Sequence, residues 1–156
     1  MKQAIGLILI IALLVSCDTS PNNNASKKMN NDMEGTWKLI SGTTITGNDT
    51  TLTDYTKNQS MIKIINETHF AFLRHDLSMG KDSSAVYESG GGHYTLVGEQ
   101  YTEYLDYCNH RAWEGSSFPF TVSLKNDSLI QRGIEKVDKA GIDRVITEIY
   151  TRVKEH

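Results

Sequence analysis

Residues 34–42 read EGTWKLISG, and they stand where the chain changes character. Before them the sequence is first apolar and then polar without pattern. After them, short strand-like runs alternate with turn residues to the C-terminus. A Gly-x-Trp alone carries little weight, because tryptophan follows glycine by chance in many proteins. Its position gives it weight here: Trp37, Leu39 and Ser41 alternate with Lys38 and Ile40, at the head of the first strand-like run.

The chain opens MKQAIGLILIIALLVSC. Lys2 supplies a positive start, and Ala4 to Val15 is an apolar core of about a dozen residues, short of the roughly 20 a membrane span requires. The core ends in Leu14-Val15-Ser16-Cys17, with a small residue directly before a cysteine. This order resembles the lipobox of bacterial lipoproteins, in which the cysteine is acylated and becomes the mature N-terminus. The resemblance implies a signal peptide at 1–16, lipidation at Cys17 and a cell-envelope protein tethered to a membrane, with the outer membrane the expected one. One acyl chain holds a protein only marginally and more than one holds it firmly, at about 0.8 kcal/mol per buried methylene. Residues 17–32 form the tether: after the cysteine, 18–32 are mostly Asn, Ser, Lys and Asp with one proline, a composition that cannot form a core and reads as flexible.

The ordered part, 33–156, is long enough for one domain around one core. Without Lys2, 15 of the 16 basic residues face 19 acidic ones, a formal charge of −4. No basic stripe is present, which argues against nucleic acid as a partner. Cys108 is the only other cysteine, and an acylated Cys17 cannot pair with it. It reads as a small semi-buried apolar residue, with a reactive thiol the alternative.

The remainder reads as β-structure. Met61–Ile65 and His69–Leu73 bracket Asn66-Glu67-Thr68; Tyr94–Val97 and Tyr101–Tyr107 bracket Gly98-Glu99-Gln100; Phe118–Leu124 and Leu129–Gln131 bracket Lys125-Asn126-Asp127. Each is a hairpin pattern, and Arg144–Val153 closes the chain as a long β-branched strand. Residues 44–60 are polar and threonine-rich, with room for at most a short helix around Thr53–Asn58. The predicted fold is all-β: an eight-stranded antiparallel up-and-down barrel, which removes exposed sheet edges. Glycines 90–92 do not precede a helix, so they are expected to allow a bulge or sharp bend in a barrel strand.

In this context Gly35-Thr-Trp37, Gly92-His-Tyr94 with Tyr101-Thr-Glu103, and Glu148-Ile-Tyr150-Thr-Arg152-Val153 resemble a family of small lipocalin-like domains in lipoproteins of Bacteroidetes. The family belongs to the calycin group and is distantly similar to the fatty-acid-binding proteins. The resemblance runs from about residue 33 to 154. It implies that Gly35, Trp37 and Arg152 close one end of the barrel, with the cation over the indole face.

What the resemblance implies for function is a barrel that holds a small, mostly apolar molecule with a polar end. Leu39, Phe72, Tyr101, Glu103, Tyr104, Glu148 and Tyr150 are the candidate lining. Tyr101 and Glu103 share one strand face, Tyr104 and Asp106 the other; the resemblance favours the first pair as interior. In the fatty-acid-binding proteins an Arg and a Tyr on the last strand grip the ligand carboxylate. Tyr150 matches that tyrosine, but Glu148 stands where the arginine would be, and a like charge disfavours a carboxylate ligand. Glu148 is then expected to pair with Arg144, Arg74 or a tyrosine hydroxyl, or to meet a polar or cationic ligand. A second function stays open: a filled barrel acting as an interaction or inhibitor module through the loop 108–117. That loop carries His110, Arg111 and Trp113, and Trp113 either caps the mouth, touches a partner or covers local core.

Enzymatic readings find little support in the residues. His69 and His75 share a face but stand about 20 Å apart along a strand, and Cys108-x-His110 is too sparse for a zinc site. No Gly-x-Ser-x-Gly elbow occurs. No catalytic residue, metal or cofactor is expected.

Overall fold

The computed structural model describes residues 32–154. The expected signal peptide at 1–16, the lipidated Cys17 and the tether up to residue 31 lie outside the described residues. Nine strands follow in chain order: β1 (Gly35–Thr46), β2 (Asp49–Asp54), β3 (Gln59–Ile65), β4 (His69–Asp76), β5 (Tyr87–Val97), β6 (Gln100–Cys108), β7 (Ser117–Lys125), β8 (Ser128–Val137) and β9 (Ile142–Arg152). Single 3₁₀ turns at Arg111–Trp113 and Asp138–Ala140 interrupt two of the connections. Among the described residues no helix is long and apolar enough to cross a membrane.

All pairings are antiparallel, and β1 also pairs with β9, which closes the sheet into a barrel. On its other side β1 pairs with β3 through Gly35–Lys38 and with β2 through Ser41–Thr46. β2 and β3 are therefore one stave broken at Tyr55–Asn58, and the barrel has eight staves in up-and-down order, as the sequence suggests. The polar segment 44–60 holds no helix; it contains the end of β1, a turn, β2 and the break. Thr50, Thr51 and Thr53 favour an extended backbone, but β2 lies exposed at the rim, so the apolar alternation that marks a buried strand is missing. Asp54 fixes the break by accepting from the Thr56 hydroxyl (2.6 Å) and N–H (2.9 Å), bonds that lower its carboxyl to about 2.

One end of the barrel is shut. Trp37 is fully buried and sits directly opposite Arg152 across the β1–β9 seam. The guanidinium lies 4.1 Å from the indole centroid and donates to the backbone carbonyls of Glu34 (2.7 Å) and Asp32. The indole N–H donates to the Met33 carbonyl at 2.8 Å. Gly35 has φ +131°, and a Cβ there would fall 2.7 Å from Nη1 of Arg152. The glycine of the Gly-x-Trp therefore leaves room for the guanidinium that covers the tryptophan.

Two register shifts decide which residues face inward. In β1 the pairing with β9 slips between Leu39 and Ser41, so Gly42 follows Trp37 and Leu39 onto the inner face. In β6 the pairing with β5 skips Asp106: Gly91 faces Tyr107 and Gly92 faces Leu105. The extra residue moves Cys108 to the interior, alongside Tyr101, Glu103 and Leu105. Gly92 permits the slip, because a Cβ there would lie 1.9 Å from the Tyr104 carbonyl oxygen. The displaced Asp106 accepts from the His93 backbone N–H (3.1 Å) and sits 2.7 Å from its Nδ1. These bonds hold its carboxyl below the usual range.

Connections differ at the two ends. The tight turns at 66–68, 98–99 and 126–127 lie at the shut end with Trp37, whereas the long connections 77–86 and 109–116 lie at the other. Asn126 stands at φ 54°, a left-handed turn residue. Asn66 accepts from the N–H groups of Thr68 (3.0 Å) and His69 (2.8 Å). Both asparagines thus serve turns. Asp76 ties down the loop 77–86, accepting from Gly80 N–H at 2.8 Å, the Ser78 hydroxyl at 2.6 Å and Val86 N–H at 3.0 Å.

Candidate ligand cavity

Above the shut end the barrel is hollow. A cavity of about 330 Å³ runs from the middle of the barrel to the end carrying the long loops. Its size falls at the lower bound of ordinary small-molecule pockets, about 300–1,000 Å³. Met61, Phe72, Leu105, Phe118 and Ile146 form apolar walls. These residues face inward by strand parity: Met61 with Ile65 on β3, Phe72 with Phe70 on β4, Leu105 with Tyr101 on β6.

The floor is polar and connected. Lys63, on the same face of β3 as Met61 and Ile65, is 2% exposed. Its ammonium donates to Glu103 of β6 at 2.6 Å and to Oε1 of Gln131 of β8 at 2.9 Å. It also stands 5.7 Å and 5.3 Å from the ring centroids of Phe70 and Tyr150. Because an ammonium only donates, it fixes the Gln131 amide with its oxygen toward Lys63. The Gln131 NH₂ then points to Glu148 of β9, at 3.4 Å. Glu148 receives a shorter bond from the Tyr150 hydroxyl, 2.6 Å. The floor therefore runs Glu103–Lys63–Gln131–Glu148–Tyr150, across four staves.

Burial raises the Glu148 carboxyl above its ordinary value, opposed by the Lys63 charge and the Tyr150 hydrogen bond. Burial, together with the Glu148 charge, also pushes the Tyr150 phenol well up. Tyr101 lies below the floor, beside Tyr94 at 5.1 Å between centroids. Among the described residues its buried hydroxyl has no hydrogen-bond partner. Burial first, then the Glu103 carboxylate, pushes that phenol well up.

Two arginines guard the mouth in the same manner. Arg74 pairs with Glu88 at 2.9 Å and lies 5.4 Å from the Tyr55 ring centroid. Arg144 pairs with Glu135 at 2.6 Å and lies 5.5 Å from the Trp113 ring centroid. Burial raises the Glu135 carboxyl, with Arg144 opposing. Gly42 is a glycine because a Cβ would come within 3.0 Å of the Tyr55 ring, which closes over it. Trp113 leans on Phe118, 5.8 Å between centroids, so the 109–116 loop is pinned to the wall. Cys108 also lines the cavity, and burial pushes its thiol up.

Of the residues singled out in the sequence, Phe72, Glu103, Glu148 and Tyr150 line the cavity, and His110 and Trp113 stand at its mouth. Leu39 and Tyr101 are fully buried beneath it, within the closed end, and do not line it. Tyr104 is a correction: it faces outward and stacks on His93, centroids 4.5 Å apart and planes within 3°. Strand parity is the reason, since Tyr101, Glu103 and Leu105 occupy the inner face and Tyr104 the other. Arg111 projects into solvent and pairs with Glu114 at 3.1 Å. Neither Arg74 nor Arg144 pairs with Glu148; each has its own carboxylate, and Glu148 takes a tyrosine hydroxyl instead.

Sequence reasoning missed Lys63, Gln131, Glu88 and Glu135. The signal was parity: Lys63 alternates with Met61 and Ile65, and Gln131 with Leu129, yet long polar side chains on strands ordinarily face water. Among the described residues no group of three or more His, Cys, Asp or Glu side chains is placed to hold a metal ion. No family model matches the chain, and no curated protein matches it.

Proposed function

We propose that this protein is a lipid-anchored, lipocalin-like binding protein of the bacterial cell envelope, whose barrel holds one small molecule of mixed polarity. The observation that carries the reading is the open cavity with apolar walls over a hydrogen-bonded polar floor. A barrel evolved only as a scaffold gains stability by filling such a space, because voids forgo packing contacts. This chain instead places Lys63, Glu103 and Glu148 there, groups that are costly to desolvate. The apolar part of a ligand would lie against Met61, Phe72, Leu105, Phe118 and Ile146, and its polar part would meet the floor. The lipid anchor rests on the Ser16-Cys17 pattern after the apolar leader.

The interaction-module reading calls for a packed interior and an exposed aromatic loop. Trp113 instead rests on Phe118 and under Arg144, at the cavity mouth. That placement favours a role in shaping the mouth. Native mass spectrometry of the protein purified gently from its own host tests the proposal. The expected result is a copurifying small molecule, released on unfolding. A ligand-free mass, together with no binding across a broad small-molecule screen, would overturn it.

A further inference from the structure

The cavity's charges do not balance. Three cations and four carboxylates line it. Each cation has a carboxylate at ion-pair distance: Lys63 with Glu103 at 2.6 Å, Arg74 with Glu88 at 2.9 Å, Arg144 with Glu135 at 2.6 Å. Glu148 is the remainder. Among the described residues its hydrogen-bond partners are neutral, the Tyr150 hydroxyl and the Gln131 amide.

We propose that the cavity takes a small organic ammonium, a primary amine whose charged head meets Glu148 and whose apolar body lies along the wall toward Tyr55 and Trp113. The inference rests on the binding-barrel reading and adds the ligand's charge class. A carboxylate at low dielectric with no cation at ion-pair distance attracts one strongly, and an ammonium offers several donors to its free lone pairs. The rest of the floor cannot supply that cation, because Lys63 is already committed to Glu103 and Gln131. Tyr55 and Trp113, which line the mouth, give the apolar body aromatic surface to lie against. An anionic ligand fits poorly, since every cation it could meet is already paired. The volume, about 330 Å³, is at the lower bound of ordinary small-molecule pockets, about 300–1,000 Å³, so the ligand is small. Burial holds the Glu148 carboxyl above its ordinary value in the empty barrel, and a bound ammonium would bring it back down.

Three probes sharing one phenethyl body separate charge from shape: phenethylamine, phenethyl alcohol and hydrocinnamate. Each is titrated calorimetrically into the intact protein at neutral pH. The amine is expected to bind about tenfold or more tighter than the alcohol, with the acid weakest. Glu148→Gln is expected to abolish the preference for the amine over the alcohol. A cooperative thermal unfolding transition shows that the variant is folded. Glu148→Asp, which keeps the charge, is expected to keep the preference. Alcohol or acid binding as tightly as the amine, or an amine preference that survives Glu148→Gln, overturns the charge assignment and leaves the binding barrel standing. No binding of any of the three overturns the ammonium assignment, and the binding barrel then stands or falls on the native mass measurement.

Discussion

Nζ of Lys63 lies 2.6 Å from Oε1 of Glu103, and the two side chains are 3% and 8% exposed. They come from β3 and β6, so the pair ties together opposite parts of the barrel wall. Removing one partner of such a pair leaves an uncompensated charge, at a cost of about 3–5 kcal/mol. Lys63→Met is expected to lower stability by that amount in urea unfolding. Lys63→Met with Glu103→Gln should recover most of the loss, because neither residue then carries a charge. Equal loss in single and double variants would mean that packing, rather than the ion pair, sets the cost.

The plug at the other end makes a second test. Gly35→Ala introduces a Cβ 2.7 Å from the Arg152 guanidinium at a φ of +131°, a region that L-residues rarely adopt. Backbone strain of this kind costs of order 1–3 kcal/mol. Arg152→Met removes the cation over Trp37 and two bonds to backbone carbonyls, with an expected loss of about 2–4 kcal/mol. The two effects should add to less than their sum, since both act on the same guanidinium. Thermal unfolding of the two single variants and the double variant measures this directly.

Glu148 gives stability a pH dependence of definite sign. Its carboxyl is raised in the folded protein, so folding favours the protonated form. The contribution is greatest below the ordinary carboxylate value and is lost as pH rises through the raised one. Glu148→Gln is therefore expected to be more stable than the parent by about 1 kcal/mol at pH 8. The advantage should shrink as the pH approaches 4. Denaturant midpoints at the two pH values decide it; a gap that does not narrow on acidification would rule out Glu148 as its source.

The architecture was legible in the sequence because the staves obey alternation. Met61–Ile65, His69–Leu73 and Phe118–Leu124 each sit inside an observed strand. What alternation could not supply was its own interruptions. The slips after Leu39 and at Asp106 depend on contacts between strands distant in sequence. β2 escaped notice because a rim strand of threonine and aspartate has no buried face to reveal it. The cavity was legible only in part: Glu148 and Tyr150 stood out beside Arg152, whereas Lys63 looked like an ordinary surface lysine. Nothing local in a strand shows that its opposite wall provides a carboxylate.

The closed end is also where both ends of the described chain meet: Arg152 holds the carbonyls of Asp32 and Glu34, and Val153 N–H donates to Thr36 at 2.8 Å. Mechanical load applied through residues before Asp32 therefore falls first on the Trp37–Arg152 clamp. It reaches the mouth at Tyr55 and Trp113 only through the full length of the staves. The barrel stands on its foot with its opening at the top, so it can be pulled, fused or immobilised from below while the entrance stays clear.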